Sequence, residues 1–184
     1  MPDEHPAHLE RTLAPSPFPG DDGLADAAAR RALAAAVREP GSTTYLRAVA
    51  TLCTARVLVP VVATATRAGT TAGGLTSDKE ADMSVVMLQI SDGRRALLCF
   101  TGLDALQAWR PDARPVPVTL DLAARTAVAE RVGTVLVDVA GPHPLVVDGA
   151  VLDALAAGHR LVQLGADEFG WAVPVADPRS PPAE

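Results

Sequence analysis

The chain has 184 residues, a formal net charge of −6 and 48% hydrophobic residues, enough for one domain with a real core. The acidic balance excludes a phosphate-backbone binder, which needs a basic stripe, and no run reaches the ~18 apolar residues of a membrane span. Two thiols, Cys53 and Cys99, exclude a disulfide scaffold. Aromatic residues make up only 3%, so Ala, Val and Leu must build the core. Asparagine is absent, Ile90 is the only isoleucine and Lys79 the only lysine. This is a codon bias, so Arg in place of Lys carries no argument about bidentate contacts. The pairs Arg30-Arg31 and Arg94-Arg95 are expected to be solvated. The acidic start Met1-Pro2-Asp3-Glu4-His5 is unlike a secretory signal, and the expected compartment is the cytoplasm.

Residues 1–21 carry five prolines and read as a flexible arm. Residues 22–55 form a helical segment. Asp22 can cap a helix from Gly23 to about Arg38, ended by Pro40, and Ser42 can cap a second to about Thr54. Tyr45, Val49, Leu52 and Cys53 share one face of it. Arg56 to Val62 reads as a strand, with Pro60 indicating an edge or a bulge. The glycine-bearing stretch from Ala63 to Ser77 is the longest irregular segment.

A hairpin follows. Asp92-Gly93 between Ser84–Ile90 and Ala96–Phe100 predicts a tight turn with positive φ. Thr101-Gly102-Leu103-Asp104 has the spacing of a capping box for a short helix bearing Leu103, Leu106 and Trp109, closed by Pro111. Arg114 to Thr119 must be extended, since Pro115 and Pro117 lack donors. Asp121 to Arg131 reads as a helix and Thr134 to Val139 as a buried strand. Leu145 to Val147 is extended, Asp148 caps a helix to Ala157, and Gly158 stops it. Arg160 to Leu164 is a last strand, and 165–184 a loose tail. Strands alternating with helices after a hairpin predict an α/β (α+β mixed) single domain: a mixed sheet containing the hairpin, flanked by helices, with two extra helices in front.

Lys79-Glu80-Ala81-Asp82-Met83, Asp92-Gly93-Arg94, Phe100-Thr101, Ala108-Trp109 and Ala113–Val118, then Val135–Asp138 and Ala140-Gly141-Pro142, occur in an order that resembles the SseB-like N-terminal domain. This is the enhanced serine sensitivity family, here of actinobacterial type. The likeness spans roughly Arg56 to Gly158, within an α/β domain at 56–164. The resemblance implies a small α/β domain with no assigned catalytic residues and no established cofactor. Longer members carry a second, C-terminal domain, for which the residues after the matched motifs are too few.

The residues themselves offer few chemistries. Asp78, Glu80 and Asp82 could hold a cation, but they lack the EF-hand spacing and its glycine. Lys79 among carboxylates should stay protonated, which disfavours catalysis. His5, His8, His143 and His159 have no metal-ligand spacing. Cys99, in an apolar strand, reads as an inert thiol. Gly69–Gly74 lacks the Gly-Lys-Ser/Thr end of a phosphate loop. Trp109 has the helical spacing of a core residue but is also a candidate contact. Phe169 and Trp171 are large aromatics in a chain with few.

The expected function is therefore a non-catalytic protein-interaction or regulatory module with no catalytic, cofactor or metal residues. Its expected partner is another protein, with no nucleic acid and no membrane. The candidate surface is Asp78, Lys79, Glu80, Asp82, Trp109, Phe169 and Trp171. The alternative is a small-molecule or metal-binding regulatory protein, or an enzyme, using the charged cluster at 78–82.

Overall fold

The computed structural model of the protein describes residues 18–64, 82–89 and 93–174. Two helices lead, α1 (Ala27–Arg38) and α2 (Ser42–Thr54), followed by β1 (Arg56–Thr64). Next come β2 (Asp82–Val85), β3 (Met87–Gln89) and β4 (Arg95–Cys99). The chain continues through α3 (Leu103–Trp109), β5 (Arg114–Thr119), α4 (Leu120–Ala129) and β6 (Thr134–Val137). It ends with β7 (Leu145–Asp148), α5 (Gly149–Ala156), β8 (Arg160–Gln163) and β9 (Phe169–Ala172).

The strands form sheets of order β2-β1-β5, β3-β4-β6-β7 and β8-β9. The four-stranded sheet is mixed: β4 and β6 run parallel, whereas β3–β4 and β6–β7 are antiparallel. The first two sheets meet where Leu58 and Phe100 exchange backbone hydrogen bonds of 2.7 and 2.8 Å. The result is the expected α+β domain with a mixed sheet. No helix among the described residues is long and apolar enough to cross a membrane.

Period-two alternation divides the core between the two sheet faces. Val57, Val59, Leu97, Cys99, Val135 and Val137 face a large cluster built with α1, α2, α4 and α5. Leu58, Leu98 and Phe100 face a smaller one with Ala105 and Leu106 of α3. Residues Ala96 to Phe100 are therefore buried on both sides, which explains their unbroken apolar run. At β7 only Leu145 and Val147 are buried, and Val146 faces solvent.

Pro60 departs from the expectation of an edge or bulge, since β1 lies between β2 and β5. It faces Pro115 across the ladder, and Leu58 faces Pro117. Leu58 directs its N–H and C=O to Phe100, away from β5, and the Pro60 carbonyl accepts from Val86 at 3.2 Å. These positions are the non-hydrogen-bonded pairs of the β1–β5 ladder, so no proline there removes a β1–β5 bond.

Several local expectations shift for identifiable reasons. Helix α1 starts at Ala27, because Asp26 caps it by accepting from Ala29 N at 2.8 Å. Asp22 instead accepts from Leu24 N in a turn next to Gly23, whose φ is +77°. The capping box at 101–104 does not form: Gly102 is the cap residue of α3, and the Thr101 side chain is engaged elsewhere. Asp148 occupies the cap position of α5 without a side-chain cap bond. Gly158, at φ +85°, ends that helix as expected.

In the β3–β4 hairpin Gln89 pairs with Arg95, whereas a two-residue Asp92-Gly93 turn would pair it with Ala96. The register therefore has an odd connection. Gly93 has the positive φ, +84°, and Asp92 lies outside the described residues. Part of the segment expected to be a loose tail forms a strand. Phe169–Ala172 pairs with β8 as a hairpin, Gln163 opposite Phe169, closed by the connection 164–168.

Candidate functional site

The charged stretch of the sequence reading falls mostly out of view. Asp78, Lys79 and Glu80 lie outside the described residues, and Asp82 opens β2 opposite Thr64. Trp109 ends α3, half-buried, with its ring 5.6 Å from that of Phe100 and the Arg110 guanidinium 4.8 Å above it. It belongs to the smaller core cluster. Phe169 packs on the larger one. Trp171 stays 38% exposed, with its ring 6.5 Å from that of His159. Of the described candidates, Trp109 and Phe169 pack on different core clusters. His143 and His159 sit in separate turns, and among the described residues no group of three His, Cys, Asp or Glu could hold a metal ion.

The buried polar residues converge somewhere else, at the C-terminal ends of the parallel β4–β6 pair. Asp138 N donates to Cys99 O at 2.9 Å, continuing the ladder one residue past β6. The chain then turns through Asp138 at φ +51°, a left-handed conformation that Asp tolerates better than most side chains. This aims the carboxylate at Thr101. It accepts from Thr101 N at 2.8 Å and from the Thr101 hydroxyl at 2.6 Å. Both residues are almost fully buried, Thr101 at 1% and Asp138 at 2% exposure.

Two arginines complete the cluster. Arg30 of α1 donates from Nε to Thr101 Oγ1 at 2.5 Å and from Nη2 to Asp104 at 2.6 Å, and its Nε lies 3.5 Å from Asp138 Oδ2. Arg30 was expected to be solvated, but its side chain is only 24% exposed, because the sheet end supplies these acceptors. Arg56 makes a bidentate pair with Asp21, at 2.7 and 2.9 Å, and also donates to Leu24 O and Thr101 O. Its guanidinium holds the Asp21 carboxyl below the usual carboxylate range, against the opposing effect of burial.

Glycines let the segment from Asp21 to Arg30 lie close against this corner. Leu103 N donates to Gly23 O at 2.9 Å, and the Leu103 side chain occupies the space a Cβ on Gly23 would need. A Cβ on Gly102 would lie 2.9 Å from both Ala25 N and Ala25 Cβ. The arrangement is a clasp. Asp21, Arg30, Arg56, Thr101, Asp104 and Asp138 satisfy one another and fasten the N-terminal segment to the sheet. Cys99 lies beneath it, fully buried, with its thiol pushed up to about 12 by burial first and by the Asp138 charge second. Burial also raises the Cys53 thiol.

Sequence reasoning did not select Arg30, Arg56, Thr101 or Asp138 as site residues. Thr101 and Asp138 do stand in the quoted motifs Phe100-Thr101 and Val135–Asp138. No spacing rule joins positions 71 residues apart, such as Arg30 and Thr101.

Fold and clasp together define a small α+β domain whose N-terminal segment is locked to its mixed sheet. The SseB protein N-terminal domain matches residues 30–154, and the chain belongs to that family. The matched span begins within α1, earlier than the Arg56 at which the likeness was expected to begin, and takes in α2 and most of α1. No curated protein and no solved structure matches the chain.

Proposed function

We propose that this SseB-family chain is a non-catalytic protein-interaction or regulatory module that binds another protein through its C-terminal hairpin. One observation carries the reading. Phe169 and Trp171 alternate onto one side of β9 and progress outward from the core, Phe169 half-buried and Trp171 38% exposed, and Val173 just past the strand is 60% exposed. A tryptophan held at the rim of a docked hairpin offers a large apolar area at little entropic cost, which is what protein contacts favour. The polar groups beside it suit an interface rim: Arg160 pairs with Asp121 at 3.3 Å in an open groove that Val173 also lines. The clasp residues are occupied with one another, which supports a scaffolding use of those charges. A cytoplasmic location and a protein partner belong to the same reading.

The test is photo-cross-linking from position 171 in cells, followed by titration of the captured partner with purified protein. Trp171→Ala should weaken that partner at least about tenfold, the size of a hot-spot loss, with an unchanged melting temperature. Equal cross-linking from Val146, an exposed residue of β7, or undiminished affinity of the variant, would refute the proposal.

A further inference from the structure

At the N-terminal ends of the same β4–β6 pair, opposite the clasp, lies an open cleft of about 540 Å³. Three arginines line it, Arg94, Arg95 and Arg131, together with Gly93, Gly133 and Gly149. Among the described residues that line it Asp148 is the only carboxylate, so those residues sum to a formal charge of +2 in a chain whose total is −6. We propose that this cleft binds a soluble small molecule bearing a phosphate group. The proposal is independent of the hairpin surface.

Placement of the arginines carries the argument. Arg94 and Arg95 lead into β4, whereas Arg131 follows α4, and only the parallel pairing of β4 with β6 brings them to one concavity. Arg95 Nη2 donates to Glu130 O at 3.2 Å, which anchors that side chain at the cleft. Guanidinium groups present several fixed donors and suit tetrahedral oxyanions. The volume falls within the roughly 300–1,000 Å³ of small-molecule sites.

Two backbone features are unexplained by folding alone. Arg131 has φ +57°, in the closing turn of α4 where Arg131 N donates to Val128 O and Val132 N to Ala127 O. Glycine is the residue favoured there, so an arginine is held against its conformational preference. Gly133 is the converse case. Its φ is not positive, and a Cβ on it would meet nothing within 4 Å. Neither backbone nor packing demands glycine, and what it supplies is bare backbone in the cleft. The Asp148 carboxylate can accept from a hydroxyl on the same ligand.

Glycerol 3-phosphate is a suitable probe, titrated into the full chain at low salt and followed by calorimetry and amide NMR. The expected result is saturable one-to-one binding with shifts at the Gly133, Thr134 and Gly149 amides. Arg131→Gly should weaken binding at least about tenfold, the loss of one charge-assisted contact, while holding or raising the melting temperature. Gly133→Val should weaken binding similarly at unchanged stability. The proposal is overturned by no saturation at ten times the ~1 mM upper range of ordinary metabolite constants. It is equally overturned by undiminished affinity in both variants, or by binding only to vesicles containing phosphatidic acid, which would assign the charge to a membrane surface.

Discussion

Replacing Asp138 by Ala tests the clasp where it is most tightly buried. The carboxylate accepts two hydrogen bonds from Thr101, and the Arg30 guanidinium approaches it at 3.5 Å. Truncation leaves the buried Thr101 amide without an acceptor, at a cost of about 1–3 kcal/mol. Alanine at φ +51° adds roughly 1 kcal/mol of backbone strain. The loss of the acceptor for the Thr101 hydroxyl and of the charge opposite Arg30 brings the total to about 3–5 kcal/mol, the usual cost of breaking a buried pair. That is a large share of the ~5–15 kcal/mol available to a domain. It corresponds to a fall in melting temperature of about 6–20 °C at this chain length. Urea denaturation followed by far-UV circular dichroism reads the change, with an unaltered m-value as the check that the same transition is observed. Asp138→Asn keeps an acceptor and tolerates the left-handed backbone, so it should cost about half as much. Asp138→Ala and Thr101→Val should also couple by about 1–3 kcal/mol in a double-mutant cycle. A destabilisation by Asp138→Ala within about 0.5 kcal/mol of zero, the level of a surface substitution, would refute this account of the clasp.

Gly102→Ala should destabilise the protein by about 1–3 kcal/mol through overpacking against Ala25, and limited proteolysis should then cut faster between residues 18 and 30. An unchanged proteolysis rate would show that the close approach is unimportant. The native protein should leave Cys99 unmodified by a thiol reagent at pH 8, since burial and a pKa near 12 both suppress its thiolate. Immediate modification of both thiols without unfolding would contradict this. The folded pKa of Asp21 is depressed, so its contribution to stability is present above the unfolded value of ~3.9 and is lost as pH falls through the lower folded value. Asp21→Asn should therefore melt below wild type at pH 7, and the gap should close as the pH is lowered below about 4. A gap of constant size down to acid pH would remove the ion pair as its cause.

Local sequence determined most of the elements, because their causes are local. Helix α2 occupies Ser42–Thr54, where Val49, Leu52 and Cys53 recur at helical spacing after Pro40-Gly41. Helix α3 spans Leu103–Trp109 and stops before Pro111, and β5 spans Arg114–Thr119 despite its two prolines. Buried thiols were equally legible, since an apolar strand and a helical apolar face bury Cys99 and Cys53. The motifs from Lys79 to Pro142 were enough to place the chain in its family.

What tertiary structure alone decided is every feature made by pairing distant segments. The central place of β1 depends on β2 and β5 both adding to it, and the tolerance of Pro60 depends on the β1–β5 register. The clasp needs Cys99 opposite Val137 in the parallel pair, which sets Thr101 against Asp138 and lets Arg30 and Arg56 reach them. The cleft needs the same pairing at its other end, where it gathers Arg94, Arg95 and Arg131. Periodicity and capping are properties of a few neighbouring residues, whereas register is set by how the whole sheet buries its two faces, and so side chains remote in sequence meet only after that burial is complete.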